Sequence, residues 1–145
     1  MSQENVALIM GLLDTPEVDV AQVYQDEALF AAAVETVSPY LDPGFAVTVR
    51  GGPAGDQTFV GVLGFKAFWQ DWLTPFESYR QEIDRAVDLG DRVLLLIRDF
   101  ARLKGSDEEV RGDHAAVWSI RDGKITAAEF YASRSEALDA VGLSE

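Results

Sequence analysis

Residues 112–131, GDHAAVWSIRDGKITAAEFY, have the pattern of two β-strands joined by a tight turn. Asp-Gly between two runs of strand-forming residues is the strongest short hairpin signal, because both positions tolerate a positive φ. The stretch also holds the only histidine of the chain, His114, and a lone carboxylate, Glu129, in an otherwise apolar run. The register of this hairpin therefore decides what these two residues can contact.

A two-residue turn at 122–123 sets that register, which then runs back along both strands. It predicts that His114 lies opposite Tyr131, with Glu129 on the same face at a diagonal distance of about 7–8 Å. Because side chains alternate, one predicted face carries His114, Ala116, Trp118, Ala127, Glu129 and Tyr131. The other carries Ala115, Val117, Ser119, Thr126, Ala128 and Phe130. Reactive groups among small alanines predict that the first face lines a cavity.

The rest of the chain has helices first and strands later. Short helices are predicted at 3–13, after a Thr15 cap, and after an Asp26 cap. Next come predicted strands at 45–50 and 57–62 and an amphipathic helix at 64–76. Strand-like runs then follow, separated by turns at 90–91, 105–107 and 122–123. The last predicted element is a helix capped by Ser133 or Ser135. This order predicts an α+β fold in which helices cover one face of an antiparallel sheet.

The turn at 90–91, interpreted in the same way, places Arg98 and Phe100 on one face, which we expect to continue the predicted cavity face. It places Asp99 on the opposite face, which has the charged pattern of a solvated surface. A buried arginine needs a carboxylate. The nearest candidate is Glu129, so an ion pair between Arg98 and Glu129 is predicted.

The composition excludes several classes of function. The 145 residues suit a single domain, residues 1–145, and a net charge of −13 repels nucleic acids and anionic membranes. The chain has no cysteine and one histidine, so thiolate chemistry and multi-histidine metal sites are excluded within one chain, and no metal site is expected. The N-terminus lacks the basic region of a secretory signal, and no apolar run reaches the roughly 18 residues of a membrane span. A cytoplasmic protein is expected.

Several longer motifs carry a family resemblance: ENVALI, YLDPGF, GVLGFKAFWQDW, DLGDRVLLLIR and, most specifically, AVWSIRDGKITAAEFYASRSEAL. Together they span nearly the whole chain and resemble the SnoaL-like polyketide cyclase family of the nuclear transport factor 2-like superfamily. The resemblance implies a cone-shaped, bent antiparallel sheet of the cystatin-like kind, covered by N-terminal helices, with a central pocket in its mouth. It also implies a homodimer and a pocket face that carries His114, Glu129 and Tyr131.

The residues that the resemblance implies for catalysis are absent. Where the catalytic cyclases of this family have a histidine on the strand before DGK, this chain has Ala116. Their acidic residue at the end of the last strand corresponds to Ser133. The aspartate base of ketosteroid isomerase-like members falls in a region that here reads Thr48, Val49, Arg50.

Two functions stay open. The first is a cofactor-free enzyme of the cyclase, isomerase or hydratase kind acting on a small, largely apolar molecule; the second is a non-catalytic ligand-binding or dimerisation domain, which the missing catalytic set favours slightly. The predicted catalytic residues are Glu129 and His114, and the predicted ligand-binding residues are Tyr131, Arg98, Trp118, Trp69 and Phe100. The strip of small residues on the other face predicts a homodimer interface that includes Val117 and Phe130.

Overall fold

The computed structural model describes residues 2–52 and 55–143. The helices are α1 (Ser2–Leu13), α2 (Val20–Gln25), α3 (Glu27–Val37), α4 (Gly61–Leu73) and α5 (Arg134–Ala140), with a 3₁₀ turn at Ser38–Tyr40. The strands are β1 (Leu41–Gly52), β2 (Gly55–Val60), β3 (Phe76–Asp88), β4 (Arg92–Leu103), β5 (Glu109–Arg121) and β6 (Lys124–Tyr131). No helix among the described residues is both long and apolar enough to cross a membrane.

The strands form one curved sheet in the order β2-β1-β6-β5-β4-β3. All neighbours are antiparallel except β1 and β6, which pair in parallel and join the first hairpin to the later meander. The predicted α+β fold, with helices followed by a bent sheet, is confirmed.

Two β-bulges shift the register that the turns predict. Both hairpins form, and next to each turn the pairing is the predicted one, as Arg121 opposite Lys124 shows. An extra residue then enters each hairpin, at Asp84 in β3 and at Thr126 in β6. Because a bulge sets two residues against one, every later partner moves by one position. Glu129 consequently pairs with Val117 rather than with an alanine.

The concave face of the sheet holds the main core, which α1, α2 and α4 cover. Its buried residues include Ile9, Ala21, Val47, Trp69, Leu73, Val93, Leu95, Ile97, Ala116, Trp118, Ala128 and Phe130. The convex face is covered over its centre by α5, through Leu94, Leu96, Ala115, Val117, Tyr131, Ala137 and Leu138.

The strip of small residues that was predicted to form a solvent-exposed dimer interface therefore does not exist as one surface. Phe130 and Ala128 face the concave core, whereas Val117 is only 1% exposed beneath α5. The bulge at Thr126 divides the strip between the two faces. An interface that contains both Val117 and Phe130 was thus the wrong prediction, and the homodimer itself stays a prediction.

Aspartates decide where two of the helices begin. The second helix begins at Val20, where the Asp19 side chain accepts from the backbone N–H of Gln22, and not directly after the predicted Thr15 cap. Asp19 also accepts from the backbone N–H of Tyr79 at 3.0 Å, so one carboxylate caps the helix and fixes it to β3. Asp26 caps the third helix, as predicted.

Candidate functional site

A cavity of about 280 Å³ opens between the concave face of the sheet and the C-terminal half of α4. Its lining is Val49, Phe68, Trp69, Trp72, Phe76, Tyr79, Asp99, Ala101, Val110, Arg111, Gly112, Asp113, His114, Phe130, Tyr131 and Ala132. We call this cavity the concave pocket. Its walls are mostly aromatic, since Phe68, Trp69 and Trp72 of α4 face strands that carry small residues or further aromatic rings.

His114 and Asp99 form the polar centre of the concave pocket. They lie on the neighbouring strands β5 and β4, and His114 pairs across the sheet with Ile97. Alternation along β4 then puts Asp99 on the same concave face. The Nδ1 atom of His114 lies 2.7 Å from Oδ2 of Asp99, and the side chains are only 16% and 13% exposed. This short contact makes them one hydrogen-bonded unit.

The other ring nitrogen of His114 is available. Nε2 of His114 makes no hydrogen bond to any described residue and is not enclosed by protein atoms. A carboxylate that accepts from Nδ1–H fixes the tautomer in which Nε2 carries the lone pair. His114 can therefore accept a proton from a molecule in the pocket, and Asp99 can stabilise the imidazolium that results.

Gln81 and Tyr79 of β3 lie next to the Asp99 carboxylate. The Gln81 side-chain amide donates to Oδ1 of Asp99 at 3.5 Å. Tyr79 is 3% exposed, and its pKa is raised by burial first and by the negative charge of Asp99 second. Tyr79 therefore stays a neutral hydroxyl at physiological pH, which can donate a hydrogen bond but carries no charge.

Three of the residues predicted for the site line the concave pocket: His114, Trp69 and Tyr131. Trp69 is 7% exposed and packs edge-on against Phe130, so it is both wall and core. Tyr131 belongs to the buried cluster of the convex face and reaches the pocket lining from there, and its hydroxyl donates to Glu129 at 3.3 Å. Burial raises the pKa of Tyr131, and the negative charge of Glu129 adds to the rise.

Glu129 lies on the convex face of the sheet, away from His114. Its carboxylate accepts from Nε of Arg50 at 2.8 Å and pairs with Nη2 of the same residue at 2.7 Å. The predicted ion pair between Glu129 and Arg98 was wrong, because Arg98 pairs instead with Asp84, the bulge residue of β3. The bulge at Thr126 turns Glu129 to the convex face, where it contacts Tyr131 but does not itself line the concave pocket. Its predicted role in proton transfer therefore loses its position next to the bound molecule.

Phe100 and Arg98 share a face, as predicted, but that face is convex. Phe100 packs under the guanidinium of Arg111, at 5.4 Å from the ring centre. Trp118 is on the concave side but lines a second, smaller cavity of about 160 Å³ between α1, α3 and the sheet. Its Nε1 is enclosed without a hydrogen-bond partner among the described residues.

The sequence prediction missed Asp99, which it placed on the solvated face. The signal was present in the strand itself: Val93, Leu95, Ile97 and Ala101 alternate on one face of β4, and Asp99 occupies the same phase. The alternation of side chains along one strand does not depend on how the neighbouring strand pairs with it. Residue pairing counted across a hairpin, in contrast, shifts by one position at each bulge. Among the described residues, no group of three or more metal-ligating side chains comes together.

Comparison with known proteins gives a consistent result. Residues 20–128 match the SnoaL-like domain family. A candidate SnoaL-like polyketide cyclase from Jannaschia sp. CCS1 superposes with a TM-score of 0.68 at 16% identity, covering 97% of this chain and 92% of the other. TerC, crystallised with polyporic acid, gives 0.62 at 19% identity, with 94% and 97% covered.

A third solved structure is a protein from Catenulispora acidiphila DSM 44928 with a ketosteroid isomerase-like fold, in complex with trimethylamine. It gives a TM-score of 0.56 at 19% identity, covering 90% of this chain and 95% of that one. At these identities the likenesses establish the fold alone. No curated protein matches the chain in sequence.

Proposed function

We propose that this chain, which belongs to the SnoaL-like domain family, binds a small, largely apolar molecule in the concave pocket and moves a proton on it with His114 and Asp99. The observation that carries the proposal is the 2.7 Å contact between Nδ1 of His114 and the Asp99 carboxylate, inside a cavity with aromatic walls. A histidine oriented in this way is the arrangement that general-base catalysis uses.

The chemistry follows from the three polar groups. Nε2 of His114 takes a proton from a carbon or hydroxyl of the bound molecule, and the negative charge of Asp99 compensates the imidazolium. The Tyr79 hydroxyl, which is neutral at physiological pH, donates to an oxygen on which negative charge develops. The imidazolium then returns the proton to another atom of the same molecule. The net result is an isomerisation or ring closure that consumes no cofactor.

A second candidate is a non-catalytic ligand-binding domain with the same pocket. It is favoured by the position of Glu129, because one of the two predicted catalytic residues does not line the pocket. The solved relatives crystallised with polyporic acid and with trimethylamine support small organic molecules as ligands of this fold. We further propose that residues 1–145 act as one domain, that two copies associate, and that the protein works in the cytoplasm.

The test needs no knowledge of the natural substrate. A ketone with acidic C–H bonds, 2-tetralone, is incubated with the protein in D₂O, and deuterium uptake next to its carbonyl is followed by NMR. We expect the wild-type chain to accelerate the exchange, and His114→Gln and Asp99→Asn to abolish the acceleration. Asp14→Asn is the matched control, because Asp14 is exposed and does not line the concave pocket.

Binding of the ketone without faster exchange would favour the non-catalytic candidate. Acceleration that survives His114→Gln would refute the role of this histidine. In either case the fluorescence of Trp69 and Trp72, both in the pocket wall, reports whether the ketone is bound there.

A further inference from the structure

Among the described residues, a carboxylate faces the interior of the concave pocket but no arginine or lysine side chain does. Its lining includes Arg111 and Asp113, but both belong to the convex phase of β5, opposite to His114. The Arg111 guanidinium stacks on Phe100 and its Nε donates to Glu109 at 3.1 Å. The Asp113 side chain is 61% exposed, and its Oδ2 lies 4.0 Å from Arg134. Neither side chain adds charge to the interior.

Asp99 and His114 are therefore the carboxylate and the imidazole that face the interior of the concave pocket among the described lining residues. When the imidazole is neutral, the pair carries one negative charge, and no lysine or arginine side chain of the described lining faces inward to oppose it. The chain as a whole has a net charge of −13, which adds to the negative potential in the pocket. An anionic molecule would meet repulsion without a compensating partner.

The aromatic wall suits the opposite charge. Trp72 is 50% exposed at the mouth, and its ring packs on no other aromatic ring of the described chain. Phe76 and Tyr79 continue the wall inward, with ring centres 5.4 Å apart. Free aromatic faces next to a carboxylate are the setting in which cations are recognised, because the ring quadrupole and the carboxylate attract the same charge.

We infer that the ligand of the concave pocket is a cationic amine joined to an apolar body. The amine lies between the Trp72 ring and the Asp99–His114 pair, and the body packs among the rings of the wall. The inference rests on the proposed function and specifies its ligand class. It also explains why the pocket has a carboxylate and no arginine or lysine pointing inward.

The experiment compares two molecules of the same shape that differ in charge. Benzyltrimethylammonium and its uncharged carbon isostere, neopentylbenzene, are titrated into the wild-type protein, and binding is followed by tryptophan fluorescence. Phenylacetate supplies the anionic arm. We expect the cation to bind roughly tenfold more tightly than the isostere, a ratio equal to about 1.4 kcal/mol and within the range of a partly desolvated cation–π contact. Phenylacetate is expected not to bind measurably.

Three variants locate the effect. Asp99→Asn and Trp72→Leu should each reduce the preference for the cation, and Asp14→Asn, which makes the same charge change outside the pocket, should leave it unchanged. Trp72 is half exposed, so its replacement should not unfold the chain, and Trp69 still reports binding. Equal or tighter binding of neopentylbenzene would overturn the inference and leave the proposed function standing. Binding of neither molecule would overturn both, since the pocket would then take no ligand of this size.

Discussion

Replacing Phe130 by alanine distinguishes the observed strand register from the one that the turn alone predicts. The Phe130 side chain is 8% exposed on the concave face. Its ring lies 5.5–6.5 Å from the ring centres of Phe65, Phe68, Trp69, His114 and Trp118. Truncating a buried phenylalanine costs about 3–5 kcal/mol, from lost transfer free energy and the cavity that remains. Because Phe130 borders the open pocket, water can enter the space, and we expect about 3 kcal/mol.

Glu129→Ala is the matched comparison one residue away. The Glu129 side chain is 26% exposed and the Arg50 side chain that it pairs with is 40% exposed. Ion pairs with this access to water contribute about 1 kcal/mol or less. In the register without a bulge the order would be reversed: Glu129 would be the buried member and Phe130 the outward one.

The free energy of unfolding is measured by urea titration of both variants, followed by far-ultraviolet circular dichroism and tryptophan fluorescence. Leu63→Ala is the control, because Leu63 is 79% exposed and its truncation should stay within about 0.5 kcal/mol. A larger loss of unfolding free energy for Glu129→Ala than for Phe130→Ala would refute the bulge at Thr126 and the assignment of the concave face.

Two further predictions concern the carboxylates of Asp84 and Asp19, and a third concerns the predicted homodimer. Arg98 and Arg134 hold the pKa of Asp84 below its usual range. The stability that the ionised Asp84 carboxylate contributes is therefore fully present above its unfolded pKa of about 3.9, and it is lost as the pH falls through the lower folded pKa. Asp84→Asn should thus lower the melting temperature at pH 7, and the difference from wild type should shrink at acidic pH; a difference that does not change with pH would contradict this. Asp19→Ala should cost about 1–2 kcal/mol in urea titrations and Thr15→Ala almost nothing, because Asp19 is the cap that forms; equal losses would argue against it. Sedimentation at micromolar concentration should give twice the chain mass of 15.9 kDa, and the mass of one chain would reject the homodimer.

The sequence predicted the class of fold because its strongest signals are local. Asp122-Gly123 has the positive φ at both positions that the hairpin needs, and Asp26 is followed directly by a helix. These features depend on a few neighbouring residues. Bulges are different, because nothing in the local pattern around Asp84 or Thr126 separates an extra residue from an ordinary one.

The candidate site was predicted less well for the same reason. His114 does line the concave pocket, because its phase is counted along its own strand, whereas the residue expected opposite it was assigned across a hairpin and is shifted by one position. Asp99 was left out because the turn at 90–91 placed it on a face with a charged pattern, although its phase in β4 matches the core. Side-chain partners depend on the curvature of the sheet, which the sequence pattern does not encode.

The parallel pairing of β1 with β6 has a consequence for how the chain folds. Arg50 and Glu129, which close this pairing, are separated by 79 positions, whereas β3 to β6 are joined by short turns. Contacts between distant positions form slowly because the loop between them must first be ordered. During synthesis β1 leaves the ribosome long before β6, so its inner edge has no partner until β6 has been made. We therefore expect aggregation of this protein to begin at the unpaired inner edge of β1.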